Sequence, residues 1–186
     1  VIPMKHITLL TAILFISLLS SPSLSETVSM DDLVERNELY YKKFSDVPFT
    51  GEITGLENGK FKSGKKNGVW KSYWENGQLS RTGLYIDGKA DGRVERYWNN
   101  GQRSTVITYI DGGNETVFKH YYENGKIEYQ GQIKDGKYDG TWLWYYKNGQ
   151  REFQANYKDG KKNGVWKFFY SDGKLSEISN FKDGIL

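Results

Sequence analysis

The 186-residue chain has few side chains able to do chemistry, and their spacing excludes more than it offers. Past residue 25 the single histidine is His120, beside Tyr121. A lone imidazole makes neither a metal-ligand cluster nor a base paired with a thiol, so it reads as an ordinary strand residue. The chain has no cysteine. Disulfides, thiolate zinc sites, thiol nucleophiles and a lipid-modified cysteine are therefore all excluded. Asp87 with Asp91, and Asp135 with Asp139, look at first like calcium ligands. Calcium takes roughly six to eight oxygens, whereas each pair brings two carboxylates beside a lysine. A turn in which Asp bonds its own backbone is the better reading. Most acids recur at a fixed period, which argues for structural duty rather than for the carboxylate pair of a glycosidase. No glycine sits in a phosphate-loop pattern, and the sequon Asn114-Glu115-Thr116 is read as coincidence. No catalytic residue, metal or cofactor is expected, and the chain reads as non-enzymatic.

Binding chemistry is better represented. Trp70, Trp74, Trp98, Trp142, Trp144 and Trp166, with accompanying tyrosines, form an aromatic stripe. Such rings either pack on one another and on glycine, or offer a docking surface for a peptide or glycan. Two basic clusters, Lys65-Lys66-Lys71 and Lys161-Lys162-Lys167, could meet anionic lipid head groups. Their other reading is as turn lysines that discourage edge pairing. The 26 basic residues exceed the 23 acidic ones by only three, too close to balance for a nucleic-acid partner.

The elements that position these side chains begin after an N-terminal leader. Lys5 and His6 precede a mostly apolar stretch from Ile7 to Leu19, and Ser23 and Ser25 provide small residues for cleavage. Residues 1–25 are expected to be a secretory signal peptide, the apolar run being short for a membrane anchor. The protein is then expected in the periplasm or outside the cell. Beyond the leader, aromatics outnumber valine, isoleucine and leucine together. An aliphatic two-layer core cannot be built from that composition.

A period of 24 residues explains it. Gly77, Gly101, Gly125, Gly149 and Gly173 form one series, preceded four times by Asn and once by Asp172. Gly64, Gly88, Gly112, Gly136, Gly160 and Gly184 form a second, mostly after Asp. Gly68, Gly92, Gly140 and Gly164 form a third, with Thr116 in the vacant place. Trp70, Phe118, Trp142 and Trp166 keep the same phase, with Val94 as the exception. Each unit reads as a β-hairpin: aromatic and β-branched runs flank Asn-Gly, the favoured pair of a two-residue type I′ turn, and Asp-Gly closes the unit.

That turn predicts the register. Trp74 should face Leu79, Ser72 Arg81 and Trp70 Gly83; the same offset sets Val94 against Ile107, Phe118 against Gly131, Trp142 against Ala155 and Trp166 against Ser179. Each large ring meets a small residue and Val94 meets a bulky one, as constant packing volume requires. The indole is expected to lie over its paired glycine. The fold class that follows is all-β, an elongated single-layer antiparallel meander of about 12 to 14 strands, roughly 60 Å long at about 4.8 Å per strand. Asn58-Gly59, read as an earlier Asn-Gly turn, makes the first unit six residues short. Residues 26–48 are expected to cap the open sheet edge, with a hairpin over 33–44 favoured and a helix as its rival.

The pattern Gly-x-Trp-x-x-Tyr-Trp/Tyr-x-Asn-Gly-Gln, followed by Tyr-x-Asp-Gly-Lys-x-x-Gly, resembles the MORN repeat in its bacterial variant form, over residues 49–186. This form is typical of YwqK-type antitoxin-like proteins. The resemblance implies a β-hairpin rod that binds or scaffolds, with no catalytic residues to carry over. The expected role is an exported protein-binding scaffold. An antitoxin or immunity-like protein that neutralises a toxin, and a peripheral phospholipid binder, are the alternatives.

Overall fold

A computed structural model describes residues 26–110, 113 and 115–186. The expected signal peptide, the Asp111-Gly112 pair and Asn114 of the sequon lie outside the described residues. The chain is a succession of strands: β1 (Thr27–Val28), β2 (Leu33–Arg36), β3 (Leu39–Lys42), β4 (Gly51–Ile53), β5 (Glu57–Lys62), β6 (Lys65–Tyr73), β7 (Leu79–Ile86) and β8 (Lys89–Tyr97). Then come β9 (Arg103–Ile110), β10 (Glu115–Tyr121), β11 (Ile127–Lys134), β12 (Lys137–Tyr145), β13 (Arg151–Lys158), β14 (Lys161–Lys162), β15 (Gly164–Phe169) and β16 (Leu175–Phe181). β1 and β4–β16 make one 14-stranded sheet in chain order, open at both ends and antiparallel apart from the short β1–β4 pair. The expected all-β meander is what forms.

The two kinds of turn are exchanged relative to expectation. Asp87-Gly88 has both residues at positive φ, 48° and 87°, and connects the pair Ile86–Lys89 directly. That is the type I′ loop, and it recurs at Asp135-Gly136 and Asp159-Gly160. At Asn76-Gly77 only the glycine is left-handed. Gly77 N–H donates to the Trp74 carbonyl and Trp74 N–H to the Gln78 carbonyl, both at 2.8 Å. This is a type I turn closed by a glycine bulge, one residue longer than predicted. Leu79 therefore pairs with Tyr73, not with Trp74. A bulge in the following strand takes up the extra residue, and the pairing Ser72–Arg81, Trp70–Gly83 resumes as predicted. The two departures cancel, so Val94–Ile107, Phe118–Gly131, Trp142–Ala155 and Trp166–Ser179 all hold.

The third glycine series makes bulges. Leu84 pairs with Asp91 and Gly83 with Val94, so Gly92 and Arg93 together face no partner, with Gly92 at φ 61°. Thr116 resists that conformation. In its unit the β9–β10 register is unbroken from Ile110–Glu115 to Thr105–His120, and the connection has four residues where the others have two. Moving two residues from bulge to loop keeps the period intact.

Asn58-Gly59 is not a turn. Both residues lie within β5, and Gly59 is the 24-residue counterpart of Gly83, so the first unit is not short on this side. The N-terminal cap is a hairpin: β2 pairs with β3 through Asn37-Glu38, both at positive φ. It forms its own small sheet, while β1 covers the sheet edge at β4. Among the described residues the conventional core is here, with Leu33, Phe49, Ile53, Phe61, Trp70 and Tyr85 buried together.

Candidate functional site

The six tryptophans share one sheet face, with Tyr97 and Tyr121 on the other, and hydrogen bonds fix rings to neighbouring strands. Trp70 donates from Nε1 to the Lys60 carbonyl (3.2 Å), Trp142 to Gln132 (2.9 Å) and Trp166 to Asn156 (3.1 Å), each ten residues back. The indole thus lies over the strand before it, not over its paired glycine. A Cβ on Gly59 would fall 2.4 Å from the Trp70 ring, and one on Gly131 2.1 Å from the Trp142 ring. A second series reaches forward. Trp74 and Trp98 donate to the carbonyls of Tyr97 and Tyr121, and the hydroxyls of Tyr122 and Tyr146 to those of Tyr145 and Phe169. Successive units are tied in both directions.

The six predicted tryptophans consequently differ in access. Trp70, Trp142 and Trp166 are buried, with 3%, 2% and 6% exposure, and are closed to a partner. Lys66 covers Trp70 at 4.0 Å, Lys162 covers Trp166 at 4.3 Å, and Tyr138 packs on Trp142 at 4.4 Å. Trp144 stands in a stack. It lies parallel to Phe153 at 4.1 Å, and the row continues through Tyr129 and His120 on one side and Phe168 on the other. Stacked rings spend their π-faces on each other and present edges to solvent. Trp98 meets His120 edge-on, and Trp74 is the one of the six classed as exposed.

The opposite face carries residues that the aromatic pattern concealed. Val69, Leu84, Val117, Val165 and Ile178 are exposed there, and no other layer among the described residues covers them. Lys71, Arg93, Lys119 and Lys167 share this face with Glu95. Three shallow hollows join along it through shared lining residues. A hollow of about 240 Å³ at Val69 and Leu84 meets one of about 420 Å³ at Val106 and Val117 through Arg93. Val117 and Lys119 connect that to a third of about 250 Å³ ending at Leu143. The furrow crosses β6 to β12. Its signal in the sequence was the alternate set of strand positions, masked by the more regular ring series.

One charged cluster fixes the furrow's polarity. Burial pushes the Glu95 carboxyl up, but hydrogen bonds from Tyr97 and Arg93 outweigh it and hold Glu95 below the usual carboxylate range. Arg103 lies 3.4 Å away. Glu95 is thus ionised and fully engaged. On the ring face, burial lowers the His120 pKa against the opposing pull of Glu128 at 3.6 Å, and Thr105 shares its Nδ1 at 3.0 Å. Among the described residues no group of three or more His, Asp or Glu is placed to hold a metal ion.

Comparison with known proteins places this arrangement. No curated protein matches the chain. The model of the MORN repeat variant matches residues 66–87, 114–135, 138–159 and 162–183, each ending at the Asp of an Asp-Gly turn. Residues 90–111, where Val94 and Ile107 replace the ring and its small partner, fall between the matches. Over those four segments the chain is similar to the MORN repeat variant, a module that generally binds proteins or lipids and is not typically enzymatic.

Proposed function

We propose that the protein is an exported, non-catalytic scaffold that binds another protein on the sheet face opposite the rings. The observation that carries this reading is the furrow itself, with the aliphatic side chains of Val69, Leu84 and Val117 open along it, Val69 at 59% exposure. Aliphatic side chains left open along a furrow rimmed by charged groups mark an interaction surface. Lys71, Arg93, Lys119 and Lys167 against Glu95 select a partner whose aliphatic side chains are bracketed by acidic groups. Export is supported by the leader pattern of Lys5, the apolar run Ile7 to Leu19, and Ser23 and Ser25.

Photo-crosslinking tests the reading. A crosslinking residue at Val117 should capture one protein from the native envelope, and the same residue at Tyr138 on the ring face should not. Equal capture from both positions would refute the assignment of the face. A captured toxin would make the scaffold an antitoxin-like protein. The phospholipid reading has one observation in its favour. Lysines pair across the type I′ loops, Lys62 with Lys65, Lys134 with Lys137 and Lys158 with Lys161, along one sheet edge. Co-sedimentation with anionic vesicles at two salt concentrations measures it.

A further inference from the structure

On the ring face, one row of cross-strand neighbours runs Ser72, Arg81, Arg96, Thr105, His120, Tyr129, Trp144. From His120 onward it is the aromatic stack; before it, two arginines face each other directly. Like charges in that relation destabilise a sheet, and the Tyr85 ring lies 5.6 Å from the Arg81 guanidinium. Among the described residues neither guanidinium has an ion-pair partner, and Arg81 Nε is buried without an acceptor. Glu57, on the strand before Arg81's partner, is engaged with Lys66 at 3.3 Å. Arg81 also opens on a cavity of about 510 Å³ between the cap hairpin and the sheet. Lys65, Lys66 and Lys89 contribute cations to its wall, and Tyr40 and Tyr85 contribute rings. Glu35, Glu38 and Asp87 line it too, so four basic side chains stand against three acidic ones, and Arg96 is the cross-strand neighbour of Arg81. The volume is that of a small-molecule site.

We infer that this cavity binds a small soluble polyanion, a ligand with two or more carboxylate or phosphate groups, clamped by Arg81 and Arg96. Guanidinium groups take such oxyanions in bidentate fashion. A buried donor without an acceptor and a like-charge pair are both features that an oxyanion at this position would resolve. The site is on the other face from the protein-binding furrow and does not depend on that reading.

The test uses the full chain in low-salt buffer, titrated calorimetrically with citrate and with pyrophosphate. Saturable one-to-one binding of at least one is expected, and the tighter of the two tells whether carboxylate or phosphate is the preferred source. Arg96→Gln should weaken it about tenfold or more, and should leave the unliganded melting temperature unchanged or raised, because a like-charge contact is lost. A purely structural Arg96 would lower that temperature instead, which counts against the inference. Arg81→Gln is the second variant; Arg96 is exposed, so its substitution keeps the test valid if Arg81→Gln fails to fold. Lys134→Gln/Lys158→Gln is the control on the lysine edge. Absence of saturable binding by either anion, unchanged affinity in Arg96→Gln, or an equal loss in the control would overturn the assignment.

Discussion

Around β5 to β7 the ring face is covered by a second layer. The cap hairpin brings Leu33 and Tyr40 against Phe49, Phe61 and Trp70, and the inner residues of that region are buried as in any small domain. From β10 to β16 no second layer among the described residues covers the face. Phe118, Tyr129, Trp142, Trp144, Phe153, Trp166 and Phe168 stack across the strands instead. Trp142 at the centre is nonetheless as buried as Phe61 under the cap, 2% in each case. Rings wide enough to span neighbouring strands can thus replace a layer, provided that glycine or alanine lies beneath them. Where Val94 and Ile107 interrupt the rings, the face is instead closed by aliphatic side chains and flanked by the two arginines.

The comparison breaks most readily at its two centres. Truncating Trp142 to alanine removes the ring over Gly131 and the bond to the Gln132 carbonyl, and should cost about 3–5 kcal/mol in urea unfolding. Phe61→Ala belongs in the same range. A loss below about 1 kcal/mol for Trp142→Ala, outside the usual cost for a buried ring, would mean that the stack is ornament on an otherwise stable sheet. A smaller effect tests the space beneath the ring. Gly131→Ala would put a Cβ 2.1 Å from the indole, against 2.8 Å from a Val94 methyl for Gly83→Ala. Overpacking costs about 1–3 kcal/mol; Gly131 should lie toward the upper end and Gly83 toward the lower. The reverse order would show that the indole yields more easily than the valine.

Much of this was legible because the repeat prints the same geometry several times. The Trp–small residue pairs and the hairpin register were visible as volume compensation along the sequence. The turns were not, because Asn-Gly serves both a two-residue loop and a type I turn with a glycine bulge; the choice depends on a bulge one strand later. Asn58-Gly59 misled for the same reason, since the dipeptide carries no mark of whether it turns or lies beneath Trp70. Of the six tryptophans picked as a binding site, three are core, a distinction set by strands ten residues upstream. The furrow on the other face was hidden by its irregular composition. One feature could have been read further: the single Asp in the Asn-Gly series. Asn76, Asn100, Asn124 and Asn148 each accept from the backbone two residues on and also donate from Nδ2 to the next unit's turn. Asp172 keeps the acceptor bond to Lys174 N–H and has no donor to offer. Asn124→Asp should therefore cost about 0.5–1.5 kcal/mol, while Asp172→Asn should be neutral. Equal effects at the two sites would show that the inter-turn ladder contributes nothing.

The two ends should also fail at opposite limits of pH. In the aromatic stack, burial holds His120 below its ordinary 6.5, so folding favours the neutral ring. The unfolded chain takes up a proton first as pH falls below 6.5, so this contribution is intact above that value and declines on acidification. Under the cap, burial and then Glu35 push Tyr40 up to about 12 from 10.0. The unfolded chain releases its proton first there, so stability is intact below pH 10.0 and is lost as pH rises through about 12. His120→Gln should flatten the acid limb of a melting-temperature profile, and Tyr40→Phe the alkaline limb, each leaving the other limb in place. The acid effect should be the smaller, since Glu128 beside the ring opposes the shift. If His120→Gln altered the alkaline limb as well, the stack and the capped core would be one cooperative unit, and the difference between them would be one of packing style alone.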